Sequence, residues 1–465
     1  MTQVGTADNP LRVAIVGAGP AGFYAAEALF KRKELVVEVD MFDKLPTPFG
    51  LVRAGVAPDH LKIKSVTKVF EKVADRPNFR FFGNVELGRD IAVADLRHYY
   101  HQIVYTTGAQ TDRYLNIPGG DLPGSHAATE FVAWYNGHPE YRDFEFDLSQ
   151  EHVVVVGIGN VAVDVCRILC RTQEELMGTD IAEHAMEALR HSKVKTVTML
   201  GRRGPAQAAF TAPEAKELGE MADCDLIIYP EEAELDPLSQ QALAEADRGT
   251  LRTVELIQEY ARREPAGKSC QLIIRFLVSP TELFAGEDGR VSRMQVVKNE
   301  LYATEYGTMR PRATDQHEEI PAGLVFRSIG YTGVPLSDVP FNEKWGVILN
   351  EDGRVIDPDT GSHRVGEYTA GWIKRGATGV IGTNKPDSVE TVDKMMADLA
   401  KGVLLQPEKP SVAAAEAFIA ECQSCYVTFA DWRKLDELEL ARGAECGRPR
   451  LKFARVEEML AVLGK

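Results

Sequence analysis

The sequence predicts an α/β fold in which one β–α–β unit occurs twice. Residues 11–16 form a short apolar run that breaks into the glycine-rich turn GAGPAG (17–22) and then into a helical pattern. A second unit starts with the apolar run 152–156, which is followed by the turn GIGNVA (157–162). A strand, a glycine turn, a helix and a second strand in this order are typical of the Rossmann-like, dinucleotide-binding fold.

The first turn has the glycine spacing that a bound pyrophosphate requires. Gly17 permits a tight turn, Gly19 lets the backbone approach a phosphate, and Gly22 lets the helix pack closely on the strand. The N-terminus of the helix supplies amide donors and partial positive charge. The next predicted strand, 35–42, ends at Asp43, whose carboxylate would accept hydrogen bonds from an adenosine ribose. A glycine turn without a ligand is the weaker alternative, because the whole pattern is present.

The second turn predicts a different nucleotide. It has Ala162 in the place of the third glycine, and the following strand, 194–200, ends in Gly201-Arg202-Arg203-Gly204 rather than in an acid. Guanidinium groups can bind a 2′-phosphate in bidentate fashion, so this unit is expected to hold NADP rather than NAD. An exposed arginine pair without a ligand is the alternative. One acidic and one basic unit together suggest FAD followed by NADPH.

The rest of the chain is predicted to complete two domains. The segment 222–320 contains short β-like runs and no new glycine turn, so it is assigned to the second unit. Residues 323–330 resemble a buried strand, and three helices are predicted after the linker 406–410, at 413–420, 432–440 and 456–463. The predicted fold class is therefore α/β with two Rossmann-like dinucleotide-binding domains, the NADP domain being inserted into a discontinuous FAD domain. The predicted boundaries are 1–112 and 325–465 for the FAD domain, with its C-terminal helices, and 113–324 for the NADP domain.

Composition and charge exclude several classes of protein. The 465 residues include 53 basic and 69 acidic side chains, for a net charge of −16, which argues against a nucleic-acid binder or a protein held on anionic lipid. No run reaches ~18 uninterrupted apolar residues, and residues 1–10 lack the pattern of a signal peptide. We therefore expect a cytoplasmic protein that does not bind membranes.

The cysteines give no clear sign of a metal site. All seven are scattered along the sequence without a framework, as is usual for reduced thiols. Cys422 and Cys425 have the spacing of a metal or redox pair, but zinc requires four ligands and only Cys446 lies nearby, with no histidine after His363. A thioredoxin-like site would need its own βαβ context. We expect structural thiols and no metal.

Five further motifs occur in a fixed order along the chain. They are PTPFGLVRAGVAPDH (46–60), GNVELG (83–88), GNVAVD (159–164), GRRGP (201–205) and GWIKRGATGVIG (371–382). Together they resemble the adrenodoxin-reductase type of ferredoxin-NADP+ reductase, especially its actinobacterial members. The resemblance extends from about residue 11 to the C-terminus.

The resemblance implies which residues contact each cofactor. The FAD-lining residues would be Ala21, Asp43, Leu51, Leu87, Trp372, Gly379, Val380 and Ile381. The NADP-lining residues would be Arg113, Gly159, Asn160, Val161, Ala162, Arg202, Arg203 and Glu214. Asp43 stands where the family more often has Glu, and Leu87 where Val is common.

A catalytic group is also implied. The family places a histidine corresponding to His60 near the flavin and the nicotinamide, together with a carboxylate on a helix. Glu214 and Glu217 are three residues apart on one helical face, so either could be the partner of His60. A structural or solvated histidine is the alternative.

The implied activity is transfer of a hydride from NADPH to FAD, followed by release of single electrons to a ferredoxin-like iron–sulfur protein. A pyridine-nucleotide disulfide reductase would need a cysteine pair soon after the first unit, but no cysteine precedes Cys166. A relative of the glutamate-synthase small subunit would need N-terminal cluster cysteines, which are absent as well. A non-turnover FAD/NADPH-binding sensor or assembly subunit stays open as an alternative. An acidic ferredoxin would need a local basic patch, for which the candidates are Lys62, Lys64, Lys68, Lys72, Arg202, Arg203, Lys216 and Lys374.

Overall fold

The computed structural model describes residues 3–306 and 308–465, and it divides into two compact units. Unit 1 contains the residues up to Val56 together with His60–Thr111 and Tyr331–Lys465. Unit 2 contains Ala57–Asp59 and Asp112–Gly330. Within the described ranges, no helix is both long and apolar enough to cross a membrane.

The N-terminal part of unit 1 alternates strands and helices. Its elements are β1 (Leu11–Val16), α1 (Pro20–Phe30), β2 (Val37–Asp43), α2 (Leu51–Ala54), α3 (Leu61–Lys64), α4 (Thr67–Ala74), β3 (Phe79–Gly83), α5 (Val93–Tyr99) and β4 (Gln102–Tyr105), followed by the two-residue strand β5 (Thr111–Asp112).

Unit 2 holds the central part of the chain. Its first elements are β6 (Ser125–Ala127), α6 (Ala128–Tyr135), β7 (His152–Val156), α7 (Asn160–Cys170), α8 (Gln173–Met177), α9 (Glu183–Arg190), β8 (Thr196–Gly201) and α10 (Ala212–Gly219). They are followed by β9 (Cys224–Ile228), α11 (Pro230–Ala233), α12 (Pro237–Leu243), α13 (Arg248–Tyr260), β10 (Cys270–Phe276), β11 (Val278–Ala285), β12 (Val291–Ala303), β13 (Met309–Pro321) and β14 (Leu324–Arg327). Short 3-10 helices occur at Pro139–Tyr141 and Pro205–Gln207.

The chain then returns to unit 1. The strands here are β15 (Tyr331–Thr332), β16 (Phe341–Asn342), β17 (Val347–Ile348), β18 (Asn350–Glu351), β19 (Arg354–Ile356) and β20 (His363–Thr369). The helices are α14 (Trp372–Arg375), α15 (Asn384–Ala400), α16 (Val412–Cys422), α17 (Phe429–Glu445) and α18 (Val456–Leu463), with a 3-10 turn at Ile381–Thr383.

The unit 1 sheet has the strand order β18-β19-β20-β4-β1-β2-β3. The strands from β20 to β3 are parallel, and β18 and β19 add an antiparallel edge. Val13 and Ile15 of β1 pack into one apolar cluster, and Ala14 and Val16 pack into another. Because successive side chains of a strand point to opposite faces, this sheet is covered on both faces, as parallel sheets usually are.

The unit 2 sheet is wholly parallel, with the order β6-β14-β7-β8-β10-β9. Val153 and Val155 of β7 pack into one cluster, and Val154 and Val156 into another, so this sheet is also covered on both faces. A separate antiparallel sheet, β11-β12-β13, completes the unit.

The predicted domain boundaries differ from the limits of the two units. The boundary predicted after residue 324 cuts β14, which pairs in parallel with both β6 and β7 and therefore lies inside the unit 2 sheet. Asp112 lies in unit 2, where it accepts hydrogen bonds from Thr129. The segment Ala57–Asp59 also lies in unit 2, because Asp59 pairs there with the buried Arg167.

Candidate functional site

The first glycine turn connects β1 to α1, and its three glycines have different surroundings. Gly17 has φ +108°, and a Cβ placed on it would lie 2.7 Å from the carbonyl oxygen of Thr106. A Cβ on Gly22 would lie 2.3 Å from the carbonyl oxygen of Gly17. Apart from its chain neighbours, no atom of residues 3–306 and 308–465 lies within 4 Å of a Cβ on Gly19, at the N-cap of α1. Two glycines are therefore needed for packing, and Gly19 borders open space where a ligand can approach the backbone.

Asp43 ends β2 beside this turn, as predicted. Its Oδ2 accepts from the Ala18 N–H at 2.8 Å, and its Oδ1 accepts from the Leu45 N–H at 3.0 Å. These bonds fix the carboxylate, and a carboxylate oxygen has lone pairs for a further donor. The position therefore suits a ribose hydroxyl next to the phosphate-binding turn.

Two residues that sequence reasoning missed support the same turn. The Thr106 hydroxyl lies within hydrogen-bond distance of two carbonyl oxygens, those of Val16 (3.1 Å) and Gly17 (2.8 Å), to which it can donate. Phe49 is buried with φ +83°, and its N–H donates to the Ala18 carbonyl oxygen at 2.8 Å. A positive φ at a bulky residue is uncommon and marks a conformation held by its surroundings. Composition and periodicity carry no signal for either residue.

Leu51 and Leu87 both lie in unit 1, half-buried. Leu51 is the first residue of α2 and follows Gly50 directly. A Cβ placed on Gly50 would lie 3.1 Å from the Gly19 Cα. Leu87 packs against the apolar cluster that contains Ala14 and Val16. Leu51 is therefore next in sequence to a contact with the glycine turn, whereas Leu87 is linked to it through the β1 side chains.

The late glycine-rich segment lies against the first turn. Gly371 has φ +80°, and a Cβ on it would lie 2.6 Å from the Ala21 side chain, so only glycine fits. Ser388 of α15 donates from its hydroxyl to the Ala21 carbonyl oxygen at 3.0 Å. Trp372 follows directly, and its indole N–H donates to the Thr378 carbonyl oxygen at 3.0 Å. The fold thus brings residues 371–372 and Ala21 together across the length of the chain.

Gly379, Val380 and Ile381 lead into α15. Gly379 has φ +78°, Val380 is exposed, and Ile381 is half-buried against the unit 1 core. Helix α15 starts at Asn384, so that Pro386 lies in its first turn, where proline is favoured. Asp387, also in this turn, accepts from the Gly371 N–H at 2.5 Å and pairs with Lys374 at 3.2 Å. This carboxylate joins the N-terminus of α15 to the glycine-rich segment.

The second turn, in unit 2, repeats the arrangement of the first. A Cβ on Gly157, which has φ +132°, would lie 2.1 Å from the Ser328 carbonyl oxygen, whereas a Cβ on Gly159 would meet no atom of the described residues within 4 Å, its chain neighbours aside. Ala162 is fully buried, and Val161 packs against the core of the unit. The Asn160 Oδ1 is buried without a hydrogen-bond partner in the described part of the chain. A buried acceptor beside an open turn fits a ligand that donates a hydrogen bond.

Arg202 and Arg203 follow β8, where a coenzyme ribose is expected. Their backbones are fixed, since the Arg202 carbonyl oxygen accepts from Asn299 at 2.9 Å and that of Arg203 accepts from Leu277 at 3.1 Å. Neither guanidinium forms a salt bridge with any residue in 3–306 or 308–465. Burial and the neighbouring Arg202 charge lower the pKa of Arg203. This uncompensated positive pair is suited to an anion.

The remaining predicted residues of unit 2 have mixed surroundings. Arg113 is exposed, and its N–H donates to the Gly330 carbonyl oxygen at 3.1 Å. Glu214 closes a capping box at the start of α10, where its Oε2 accepts from the Thr211 N–H at 2.7 Å. Glu217, on the same helix, pairs with Arg167 at 3.4 Å. Both predicted carboxylates therefore already have partners within unit 2.

His60 lies at the start of α3 in unit 1 and is half-buried. The preceding residue, Asp59, pairs in unit 2 with Arg167 at 2.5 Å and with Arg171 at 3.2 Å. Burial acts to lower the pKa of the fully buried Arg167, but its hydrogen bond to Asp59 and the negative charges of Asp164, Asp59 and Glu217 raise it overall. The loop that ends at His60 is thus anchored just before the histidine.

Comparisons with known proteins agree with this architecture. The family model described as pyridine nucleotide-disulphide oxidoreductase matches residues 11–201, which include both glycine turns. The NADPH-ferredoxin reductase FprA of Mycobacterium leprae is 45% identical over 97% of this chain and 98% of its own length. The human mitochondrial NADPH:adrenodoxin oxidoreductase is 41% identical over 99% of this chain and 93% of its own length.

A solved structure gives the same result in three dimensions. The structure of Mycobacterium tuberculosis FprA in complex with NADPH superposes with a TM-score of 0.93 at 43% sequence identity, covering 98% of this chain and all of the other. The motifs, the paired glycine turns and these likenesses agree over almost the whole length of the chain. The chain belongs to the adrenodoxin-reductase type of the ferredoxin-NADP+ reductase family.

Proposed function

We propose that the protein binds FAD in unit 1 and NADP(H) in unit 2 and reduces a ferredoxin-like iron–sulfur protein with electrons from NADPH. The observation that carries the proposal is the contrast between the two turns. Both have an open glycine at the N-cap of a helix, but one is next to the Asp43 carboxylate and the other is next to the uncompensated Arg202–Arg203 pair. Two sites of opposite charge in one chain suit two different dinucleotides.

Unit 1 would hold FAD through its backbone more than through side chains. The open face of Gly19 and the N-terminus of α1 would receive the pyrophosphate, and Asp43 would bind a ribose hydroxyl. Gly371 lies against Ala21, and the next residue, Trp372, would form a wall for the isoalloxazine ring together with Val380, an exposed apolar side chain. FAD, when bound, supplies the exchange between two-electron and one-electron chemistry.

Unit 2 would select the phosphorylated coenzyme. The open Gly159 and the N-terminus of α7 would receive the pyrophosphate, and the Asn160 Oδ1 would accept a hydrogen bond from the coenzyme. Arg202 and Arg203 would bind the 2′-phosphate. Because no described carboxylate neutralises them, a bound phosphate would offset the burial and the Arg202 charge that together lower the Arg203 pKa.

An electron acceptor with acidic groups fits a surface on α3 and α4. Lys62, Lys68 and Lys72, here called the lysine surface, are exposed, and none forms a salt bridge with a residue that the structure describes. Exposed Leu61, Ile63 and Val69 are neighbours in sequence of Lys62 and Lys68. Lys374, by contrast, is tied to Asp387 and Glu390 with a nearly buried side chain, and Lys216 pairs with Glu220. The lysine surface is therefore the better candidate for docking a ferredoxin.

Proton transfer by His60 with Glu214 or Glu217 as its partner stays a prediction. If His60 moves a proton in the reaction, His60→Gln should shift the pH dependence of flavin reduction, whereas a merely structural role would lower stability without that shift. Because Glu217 pairs with Arg167 and Glu214 caps its helix, substitution of Glu217 is expected to affect stability first.

The proposed function is tested by reconstituting electron transfer with the purified chain. The protein should be yellow, contain one non-covalent FAD per chain, and reduce an acidic ferredoxin with NADPH much faster than with NADH. A non-turnover sensor would bind both cofactors and leave the ferredoxin oxidised. A colourless folded chain would contradict the assignment of unit 1.

A further inference from the structure

Three buried thiols meet at one end of the unit 2 sheet. Cys170 is the last residue of α7, and Cys224 and Cys270 are the first residues of β9 and β10. Their sulfur atoms all lie within 4.8 Å of one another, and all three residues are buried. Dozens of residues separate each cysteine from the next along the chain, so only the fold brings them together.

Backbone pairing fixes the three positions. Cys224 and Cys270 are direct partners in the parallel pairing of β9 with β10. The Cys270 N–H donates to the Asp223 carbonyl oxygen at 3.3 Å, which closes the end of this strand pair. Cys170 sits on a helix that packs against β10. The thiols are thus presented by regular elements, which hold a ligand set more precisely than loops do.

We propose that this trithiol cluster is a binding site for a soft, thiophilic cation, namely Cu(I). Among transition metals, thiolate ligands favour Cu(I), zinc and iron–sulfur clusters. Structural zinc and iron–sulfur clusters require four ligands, but no fourth histidine, cysteine, aspartate or glutamate atom joins the group within residues 3–306 and 308–465. Cu(I) accepts three sulfur ligands, and the burial of the cluster leaves no exposed position for water to complete a larger shell.

Binding at this site is an exchange of protons for a metal ion. Cu(I) replaces thiol protons, which pass to the solvent, and neither sulfur nor copper changes oxidation state. The thiolates leave negative charge in a buried place, which is costly without a nearby cation. The Lys268 Nζ donates to the carbonyl oxygens of Met221 at 2.8 Å and Cys224 at 3.4 Å, so an ammonium group lies beside the backbone of the cluster.

The test uses the FAD-loaded full chain under anaerobic conditions. To remove competing surface thiols, Cys422, Cys425 and Cys446 are replaced by serine in all samples, because none of them belongs to the buried cluster. Titration of Cu(I) against a chromophoric Cu(I) chelator should show one tightly bound ion per chain. X-ray absorption of the loaded protein should show three sulfur neighbours around copper.

Single substitutions locate the site. Cys170→Ala, Cys224→Ala and Cys270→Ala should each weaken Cu(I) binding by at least about 100-fold, since even loss of an outer-shell partner commonly costs 10–100-fold. Cys166→Ala is the matched control, because Cys166 is fully buried on the same helix one turn earlier but lies outside the cluster. It should bind Cu(I) as the parent does.

Several results would overturn the proposal. One is chelator competition in which the parent retains no copper. Another is an equal loss of affinity in the Cys166→Ala control, and a third is a copper environment without three sulfurs. If hydrogen peroxide converts two cluster thiols to a disulfide while Cu(I) fails to bind, the cluster is an oxidisable thiol group and not a metal site. The X-ray absorption measurement needs no cluster variant, so it decides even if a buried substitution prevents folding.

Discussion

Replacing Arg202 and Arg203 by alanine should narrow the coenzyme preference. Each charge-assisted contact to a phosphate contributes ~1.5–3 kcal/mol. Arg202 is exposed and Arg203 is half-buried, so water competes with the arginines for the phosphate, most of all at Arg202. The lower end of this range therefore applies. The pair together then contributes up to about 3 kcal/mol, and Arg203 alone about half of that. Since ~1.4 kcal/mol corresponds to a factor of ten, kcat/KM with NADPH should fall between about 10-fold and 100-fold.

The assay compares NADPH and NADH as reductants of the bound flavin. NADH lacks the 2′-phosphate and should lose far less than NADPH. The fold should survive, because Asn299 and Leu277 hold the backbone carbonyls of the two arginines and not their side chains. Arg262→Ala, which removes an exposed arginine of the same unit that forms no described salt bridge, is the control. Equal losses with both coenzymes, or loss of FAD, would refute the assignment.

Three further predictions follow from the same geometry. Gly19→Ala should fold normally but bind less FAD, because its methyl group enters the open space where the phosphate would lie. Gly22→Ala should instead lower the melting temperature, because its Cβ would lie 2.3 Å from a carbonyl oxygen. Flavin absorbance and thermal unfolding distinguish the two effects. Replacing the three lysines of the lysine surface by glutamate should slow the reduction of an acidic ferredoxin by about 10-fold or more and flatten the salt dependence of that rate. The variant should keep its NADPH–ferricyanide activity, and the control Lys409→Glu should reduce the ferredoxin at the parent rate. A parent rate that does not depend on salt would contradict electrostatic docking. Burial raises the pKa of Asp112 to about 6 against the donors on Thr129, so the ionised carboxylate costs folding free energy that is absent below about pH 4 and complete above about pH 6. Asp112→Asn should therefore be more stable than the parent by up to ~3 kcal/mol above pH 6 and equally stable below pH 4 in urea unfolding, and an equal difference at both pH values would contradict the assignment.

The parts that the sequence predicted well depend on local pattern. Strands β1 and β7 and helix α18 have the predicted limits, because each is an apolar run or period bounded by a glycine or another clear end signal. The glycine turns and the arginine pair were placed correctly at strand ends because β–α–β order alone fixes those positions. Element ends elsewhere differ by a few residues, as in α17, which was predicted over 432–440 and spans Phe429–Glu445.

The parts that could not be predicted depend on long-range contacts. Strand β13 is polar and largely exposed, and its sequence lacks the alternation of apolar and polar residues that would predict a strand. It forms because it pairs with β12. The support of Gly17 by Thr106, the positive φ of Phe49 and the contact of Gly371 with Ala21 all join distant segments. The buried trithiol cluster is the clearest case, because cysteines that look scattered in the sequence meet only when β9 and β10 pair.

Rapid anaerobic mixing tests the central claim most directly. The purified chain with its bound FAD is mixed first with NADPH and then with an oxidised ferredoxin, while the flavin and the iron–sulfur absorbance are followed. The account predicts that NADPH bleaches the yellow flavin within seconds, that NADH does so far more slowly, and that the ferredoxin is then reduced as the flavin colour returns. A flavin that stays yellow with NADPH, or a reduced flavin that leaves every ferredoxin tested oxidised, would contradict it.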